Sequence, residues 1–384
     1  MSGYDNNPIP DDRFLVTYRL SGNEKEAWAR ARDICVEQTV EFPEKLISPG
    51  RIRDHVVGRI EFVRPLEEGA LCAGISYAQD TVAGEFTTLL NVVFGNISLQ
   101  KGIRVCNIDL PPALLKEFKG PRFGVEGLRA FLKAPQRPLL CTALKPMGLS
   151  ARELADRAYQ CALGGIDIIK DDHGLTDQCY APFEERVALC AEAVARANQE
   201  TGGGSIYVAH ITASFPVMIK RARFAKKEGA RGLLIIPGIA GLDAIRHISN
   251  DDTIALPLFS HPAFQGSYVI NPDTGLSPSV LFGQLNRLAG ADAAIFPHSG
   301  GRFSFTRKEC EMVIAGAASD MGHIKPIFPC PAGGMSLDRL PDLLTFYGKD
   351  TIFLLSGGLY THGPDFIENC SKARALLSDD KMHG

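Results

Sequence analysis

Eight times between residues 138 and 379 the chain repeats one pattern, a short and almost wholly apolar run followed by a helical one. The apolar runs are PLLCTALK, IDIIKDD, SIYVAHIT, GLLIIPG, IALPLFSH, AAIFPH, KPIFPC and TIFLLSGG. Between them lie stretches such as LSARELADRAYQCALGG, where Leu154, Ala158, Cys161 and Ala162 recur at helical spacing. Another, PFEERVALCAEAVARANQETGG, closes on glycines as a helix end does. Strands that are apolar throughout belong in a sheet covered on both faces, which is the parallel arrangement. Eight such units predict a (β/α)8 TIM barrel over residues 125–384. An open doubly wound sheet is the competing fold, but no glycine-rich dinucleotide fingerprint follows any strand.

Residues 1–124 read as a separate α+β domain. RFLVTYRLS suggests a strand and EKEAWARARDICVEQT an amphipathic helix. RIRDHVVGRIEFVRP and GALCAGISYAQD alternate apolar and polar residues, as half-buried antiparallel strands do. The helix GEFTTLLNVVFG and the strand GIRVCNIDLP complete two βαβ-like halves, a ferredoxin-like order. LLKEFKGPRFG is the expected connector.

Length and composition set outer limits. A chain of 384 residues accommodates two domains, and 45% hydrophobic with 22% charged residues is ordinary for a globular protein. A net charge of −3 gives no reason to expect nucleic acid as a partner. No apolar run approaches the roughly 20 residues that span a bilayer, so no membrane partner is expected either. The opening MSGYDNNPIPDD lacks the basic and apolar regions of a secretory signal and reads as a polar leader. Ten cysteines are scattered with no CxxC pair, which disfavours a zinc ribbon or a disulfide scaffold. A reducing, cytoplasmic setting is expected.

In a barrel, chemistry gathers where the strands finish. Those positions hold Lys145, the Lys170–His173 cluster, His210, His261, His298, Gly333-Gly334 and Gly357-Gly358. Side chains alternate along a strand, so Lys170 and Asp172 should share a face and Asp171 should point away. Adjacent carboxylates suit a hard cation such as Mg²⁺, which takes oxygen ligands. A plain Lys–Asp ion-pair network at a strand end is the simpler alternative. His173 has three possible roles: nitrogen ligand, general acid or base, or orienting residue. The two glycine pairs end the seventh and eighth strands, where bare N–H groups near a helix start cradle a phosphate. Ordinary tight turns would also explain them.

At these residues the sequence resembles the large subunit of RuBisCO, and more closely its RuBisCO-like, form IV relatives. GGIDIIKDDH is similar to the family's GGxDxxKDDE, and CTALKPMGLS to its TIxKPKxGLS. The resemblance implies a lysine at Lys170 that is carbamylated by CO₂ and binds Mg²⁺ together with Asp172 and His173. His173 stands where the family has glutamate. It further implies proton handling by Lys145 and substrate binding by His261. Pro262 replaces the arginine that follows this histidine, and Gln265 the second histidine of that segment. The four glycines fall on phosphate-binding positions. Glu37 (CVEQTVEF) and Asn96 (VFGN) match residues that reach into a partner subunit's site, which implies a homodimer with shared sites.

Two departures bear on the reaction. KPMGL lacks the second lysine of the KPK motif, and PHSGGRFSF lacks the lysine with which a carboxylase holds the new carboxylate, Arg302 being the nearest cation. CO₂ fixation is therefore not expected. What remains is the making of an enediolate from a phosphorylated sugar, with the Lys170 carbamate, Lys145 or a histidine as base. The expected reaction is isomerisation of 5-methylthioribulose 1-phosphate. Alternatives are decarboxylation of 3-oxo-isoapionate 4-phosphate, the 2,3-diketo-5-methylthiopentyl-1-phosphate enolase reaction of methionine salvage, and a catalytically silent sugar-phosphate-binding regulator.

Overall fold

A computed structural model describes residues 10–66 and 69–378. Most of the polar leader thus lies outside the described residues. The first part of the chain runs β1 (Arg13–Leu20), a helix Glu24–Glu37, β2 (Arg59–Pro65), β3 (Leu71–Ala78), a helix Phe86–Phe94 and β4 (Ile103–Asp109). This is a βαββαβ order with β1 central, paired antiparallel to both β3 and β4, as the ferredoxin-like reading expects. The first helix starts at a reciprocal cap, where the Asn23 side chain accepts from the Glu26 N–H and Glu26 returns the contact.

One expectation shifts here. The alternation over residues 51–65 suggests a single strand, yet Ile52–Val56 is a helical turn and β2 begins only at Arg59. Local backbone bonds take the place of pairing: the Asp54 N–H donates to the Gly50 carbonyl and the Val57 N–H to the Ile52 carbonyl, and β2 pairs with β3 only from Arg59↔Ser76 onward. Arg53 then donates to the Ile47 and Glu44 carbonyls and holds the turn.

The second part is a closed barrel of eight parallel strands: β5 (Leu139–Ala143), β6 (Ile168–Lys170), β7 (Ile206–His210), β8 (Gly232–Ile235), β9 (Leu258–Ser260), β11 (Ala293–Pro297), β12 (Phe328–Ala332) and β13 (Ile352–Leu354). β13 pairs back onto β5 through Ile352↔Leu139, which closes the ring. Every described residue of these strands except Pro297 and Ala332 is buried, the reason their sequences are apolar throughout. Reciprocal caps at Ser150–Glu153 and Thr306–Glu309 start the helices that follow β5 and β11.

A short strand β10 (Gly275–Leu276) leaves the barrel after β9 and pairs in parallel with β4 of the other sheet. Arg104 on β4 donates to the Val269 and Leu276 carbonyls, and Arg19 on β1 pairs with Asp273 at 2.8 Å. The N-terminal sheet therefore fixes the backbone of the segment after β9. No helix among the described residues is long and apolar enough to cross a membrane.

Candidate active site

The carboxyl ends of the strands open onto a cavity of about 600 Å³. β5 and its following turn contribute Lys145, and β6 contributes Lys170, Asp172 and His173. β9 delivers His261, and the loops after β12 and β13 bring Gly333, Gly334, Gly357 and Gly358. All nine of these residues, singled out from the sequence, thus line one space. Glu37 and Asn96 do not. They lie on the N-terminal domain, where Asn96 Nδ2 donates to Glu37 Oε1 at 2.9 Å.

The strand alternation at β6 separates two neighbouring carboxylates. Asp171 turns away from the cavity into a buried network, accepting from the Tyr207 hydroxyl at 2.7 Å and the His210 N–H at 3.0 Å. Arg186, itself fully buried, approaches it at 3.3 Å and also donates to the Ala181 and Thr176 carbonyls. Those bonds tie down the loop that carries the other carboxylate. Asp172 faces the cavity, with Lys145 Nζ 2.6 Å from Oδ2 and His173 Nδ1 3.3 Å from Oδ1. Burial alone would push the Asp172 carboxyl up, but the Lys145 contact and the Lys170 charge hold it below its ordinary value.

Lys170 is 2% exposed and donates to the Asp171 carbonyl at 2.9 Å. Burial pushes its ammonium below the ordinary lysine value, more than the nearby Cys141 and Asp172 raise it. A buried lysine of this kind has an accessible neutral amine, the form that reacts with carbonyl compounds and CO₂. His173 and His261 stack with ring centroids 4.4 Å apart and an angle of 13°. Burial, followed by surrounding positive charge, lowers both imidazoles, His261 strongly, so the pair is neutral near pH 7. His261 Nδ1 accepts the Ala263 N–H at 3.2 Å, which leaves Nε2 as its protonated nitrogen.

Asp172 is the single carboxylate on the described cavity wall, against the cations Lys145, Lys170 and Arg302. That excess of positive charge favours an anionic ligand. Gly333 and Gly334 have φ of +99° and +98°, and a Cβ on Gly333 would come within 2.8 Å of the Phe303 ring. Gly358 is tighter still, its Cβ position lying 2.4 Å from the Met335 carbonyl oxygen. Gly357 opens the short helix Gly357–Thr361, where Ser356 provides no side-chain cap for the first N–H groups.

Much of the remaining wall is apolar, formed by Phe282, Ile295, Phe296, Phe305, Ile270 and Leu354. No local pattern announces this wall, because its members come from separate elements and each reads as ordinary core. Ser356 was also missed, although it directly precedes a glycine pair. Among the described residues no group of three His, Cys, Asp or Glu stands close enough to hold a metal.

An eight-stranded parallel barrel with its titratable groups gathered at the carboxyl mouth defines a barrel enzyme. A model of the ribulose bisphosphate carboxylase large chain catalytic domain matches residues 124–375. The chain belongs to the RuBisCO large-chain family, on its RuBisCO-like branch. It is 40% identical over 349 residues to a 5-methylthioribulose-1-phosphate isomerase from Rhodospirillum rubrum, covering 91% of each chain. It is 32% identical to a 2,3-diketo-5-methylthiopentyl-1-phosphate enolase from Bacillus licheniformis, over 91% of this chain and 87% of the relative. The crystal structure of a Rubisco-like protein from Rhodopseudomonas palustris superposes with a TM-score of 0.87 at 35% identity, covering 96% of this chain and 98% of that one. A dimeric archaeal Rubisco from Hyperthermus butylicus gives 0.84 at 26% identity, covering 97% and 93%.

Proposed function

We propose that this chain isomerises a phosphorylated ketose by proton transfer through an enediolate, with 5-methylthioribulose 1-phosphate as substrate and without CO₂ fixation. The observation that carries the reading is the cavity, where one ionised carboxylate, the basic side chains Lys145, Lys170 and Arg302 and two stacked imidazoles share a mouth with two glycine pairs. The relative named as an isomerase of this compound supports the choice of substrate.

In this reading Gly333, Gly334, Gly357 and Gly358 bind the phosphate through N–H groups, with Arg302 adding charge. Anchoring the phosphate spends binding energy away from the reacting carbon and holds the ketose in place. Lys170 as a carbamate, Asp172 and His173 would hold Mg²⁺. These residues fit, since Asp172 is held ionised and His173 neutral, while a carbamate adds the anionic oxygen that the trio otherwise lacks. The cation, when bound, polarises the ketose carbonyl and the neighbouring hydroxyl. Lys145 in its neutral form or the Lys170 carbamate, both on this wall, would take the proton from the hydroxyl-bearing carbon next to the carbonyl. His261, with its protonated Nε2, donates to a substrate oxygen.

Adding the ketose phosphate and Mg²⁺ in D₂O, followed by NMR, tests the reaction. Solvent deuterium should enter the sugar as isomer accumulates. No incorporation and no product would overturn the assignment and leave a silent binding protein. The enolase reading keeps support from the relatives that bear its name, and turnover of the diketo phosphate ester in the same assay would establish it. Gas release from a β-keto acid phosphate would instead establish the decarboxylase.

The proposed assembly is a homodimer in which Glu37 and Asn96 complete the partner's site. The mouth carries exposed apolar residues on several loops, among them Phe215, Ile239, Phe264 and Ile270, a surface that a second copy would cover. Mixing inactive Glu37→Gln chains with inactive Lys170→Ala chains should restore part of the activity. No restoration, with exchange of subunits verified, would rule out shared sites.

A further inference from the structure

The one carboxylate of the described cavity wall has both oxygens engaged. Oδ1 of Asp172 accepts the Gly174 N–H at 3.0 Å, with His173 Nδ1 3.3 Å away. Oδ2 lies 2.6 Å from Lys145 Nζ. Lys170 is far closer in sequence, yet its ammonium donates to the Asp171 carbonyl instead. Lys145 has a side chain 35% exposed and Asp172 one 6% exposed, so the ammonium reaches inward from the mouth to cap a sunken oxygen. Freely exposed ion pairs contribute little because water and salt compete. A short, charge-assisted contact on a mostly buried carboxylate is stronger.

The backbone around Lys145 is fixed. The Leu144 N–H donates to the Lys170 carbonyl at 2.9 Å, which joins the two strand ends, and the Tyr360 hydroxyl donates to the Lys145 carbonyl at 3.2 Å. What can move is the side chain, whose four-carbon stem lets the ammonium swing without disturbing either strand.

We propose that Lys145 is the built-in counter-ion of Asp172 while the site is free of metal, and that this ammonium is released into the cavity when a divalent cation takes Oδ2. The inference rests on the metal reading given above and adds a coupling to it. A divalent cation on the oxygen that now meets the Lys145 ammonium at 2.6 Å would repel that ammonium and compete with it for the same negative charge, so binding of one weakens the hold of the other. Loading of the site and arming of the cavity lysine then become one event. Without metal, Lys145 stays on the protein's own carboxylate and away from any bound ketose.

Binding of Mn²⁺ to the full-length protein, followed by the EPR signal of the free ion with bicarbonate present, separates the outcomes. Lys145→Met keeps the stem and removes the charge, and it should bind Mn²⁺ roughly tenfold or more tightly than wild type. Lys145→Arg keeps a cation and should bind no more tightly than wild type. A Met variant with wild-type or weaker affinity overturns the coupling while leaving the metal site standing. Failure of every form, wild type included, to bind Mn²⁺ overturns both. In the unmutated protein, Mg²⁺ should raise labelling of Lys145 by trinitrobenzenesulfonate several-fold, read by peptide mass spectrometry. Unchanged labelling at saturating Mg²⁺ would also overturn the release.

Discussion

The two ends of the barrel use aspartate in opposite ways. At the amino end, Asp167 takes a bidentate contact from Arg137 and the Leu140 N–H. Asp292, opening β11, accepts three backbone N–H groups, from Phe123, Gly124 and Leu258, at 2.8 to 2.9 Å. Each of these two carboxylates joins the start of its own strand to the start of the preceding one in the ring. At the carboxyl end, Asp172 meets movable side chains, Lys145 and His173, as well as one backbone N–H. A carboxylate held by backbone N–H groups or a fixed fork is part of the frame. One held by a flexible ammonium can exchange partners, and exchange is what chemistry needs.

The contrast has measurable consequences, of which the largest concerns Lys170. Lys170→Ala should cut turnover by roughly a thousandfold, about 4 kcal/mol of transition-state stabilisation, while the denaturant midpoint shifts little. Near-wild-type turnover would remove Lys170 from the chemistry and blur the division between the ends. Asp292→Ala should do the reverse. Three buried N–H donors lose their acceptor, and unfolding in urea should come easier by roughly 3–5 kcal/mol, with kcat per folded molecule retained. A loss below about 1 kcal/mol would show that the amino end is not held as described.

His210 sharpens the comparison, because it sits at the mouth yet is bonded as a frame residue. Its Nδ1 lies 2.7 Å from the Leu175 carbonyl oxygen, an acceptor, so Nδ1 carries the proton. Burial, partly offset by that carbonyl, pushes the imidazole down to about 4. Between the ordinary 6.5 and this value the unfolded chain binds a proton that the folded chain refuses. Stability from this group is therefore complete above pH 6.5 and lost as pH falls toward 4, by up to roughly 3 kcal/mol. Urea unfolding across that window should show the slope in wild type and a flatter one in His210→Asn. Equal slopes would assign the acid sensitivity to other groups. The smallest effect is expected at Arg302, whose replacement by glutamine should raise KM for the ketose phosphate about tenfold with kcat within a few-fold, as loss of uniform binding does. A kcat effect larger than the KM effect would move Arg302 into the chemical step.

The reach of sequence reasoning follows from the range of the forces involved. The eight apolar runs were legible because each strand is buried on both faces, which demands an apolar residue at nearly every position. The split at β6 was legible too, since strand alternation sends Asp171 and Asp172 to opposite sides. Strand limits were not. β6 and β13 pair over only three residues each, and where pairing stops depends on the neighbouring strand. The helical turn at Ile52–Val56 escaped because its backbone bonds locally, the Asp54 N–H to Gly50 and the Val57 N–H to Ile52, and joins no neighbouring strand.

From its sequence alone, this chain determined the barrel, its ferredoxin-like companion and the strand ends where polar groups collect, because periodicity and residue type are local properties. The tertiary structure decided which of those groups touch. It set Lys145 rather than Lys170 on Asp172, stacked His173 on His261, and gathered an apolar wall from distant elements. It also drew Gly275–Leu276 out of the barrel to pair with β4. Such contacts join residues far apart in the chain, and closure of the ring is what brings them within a few ångströms.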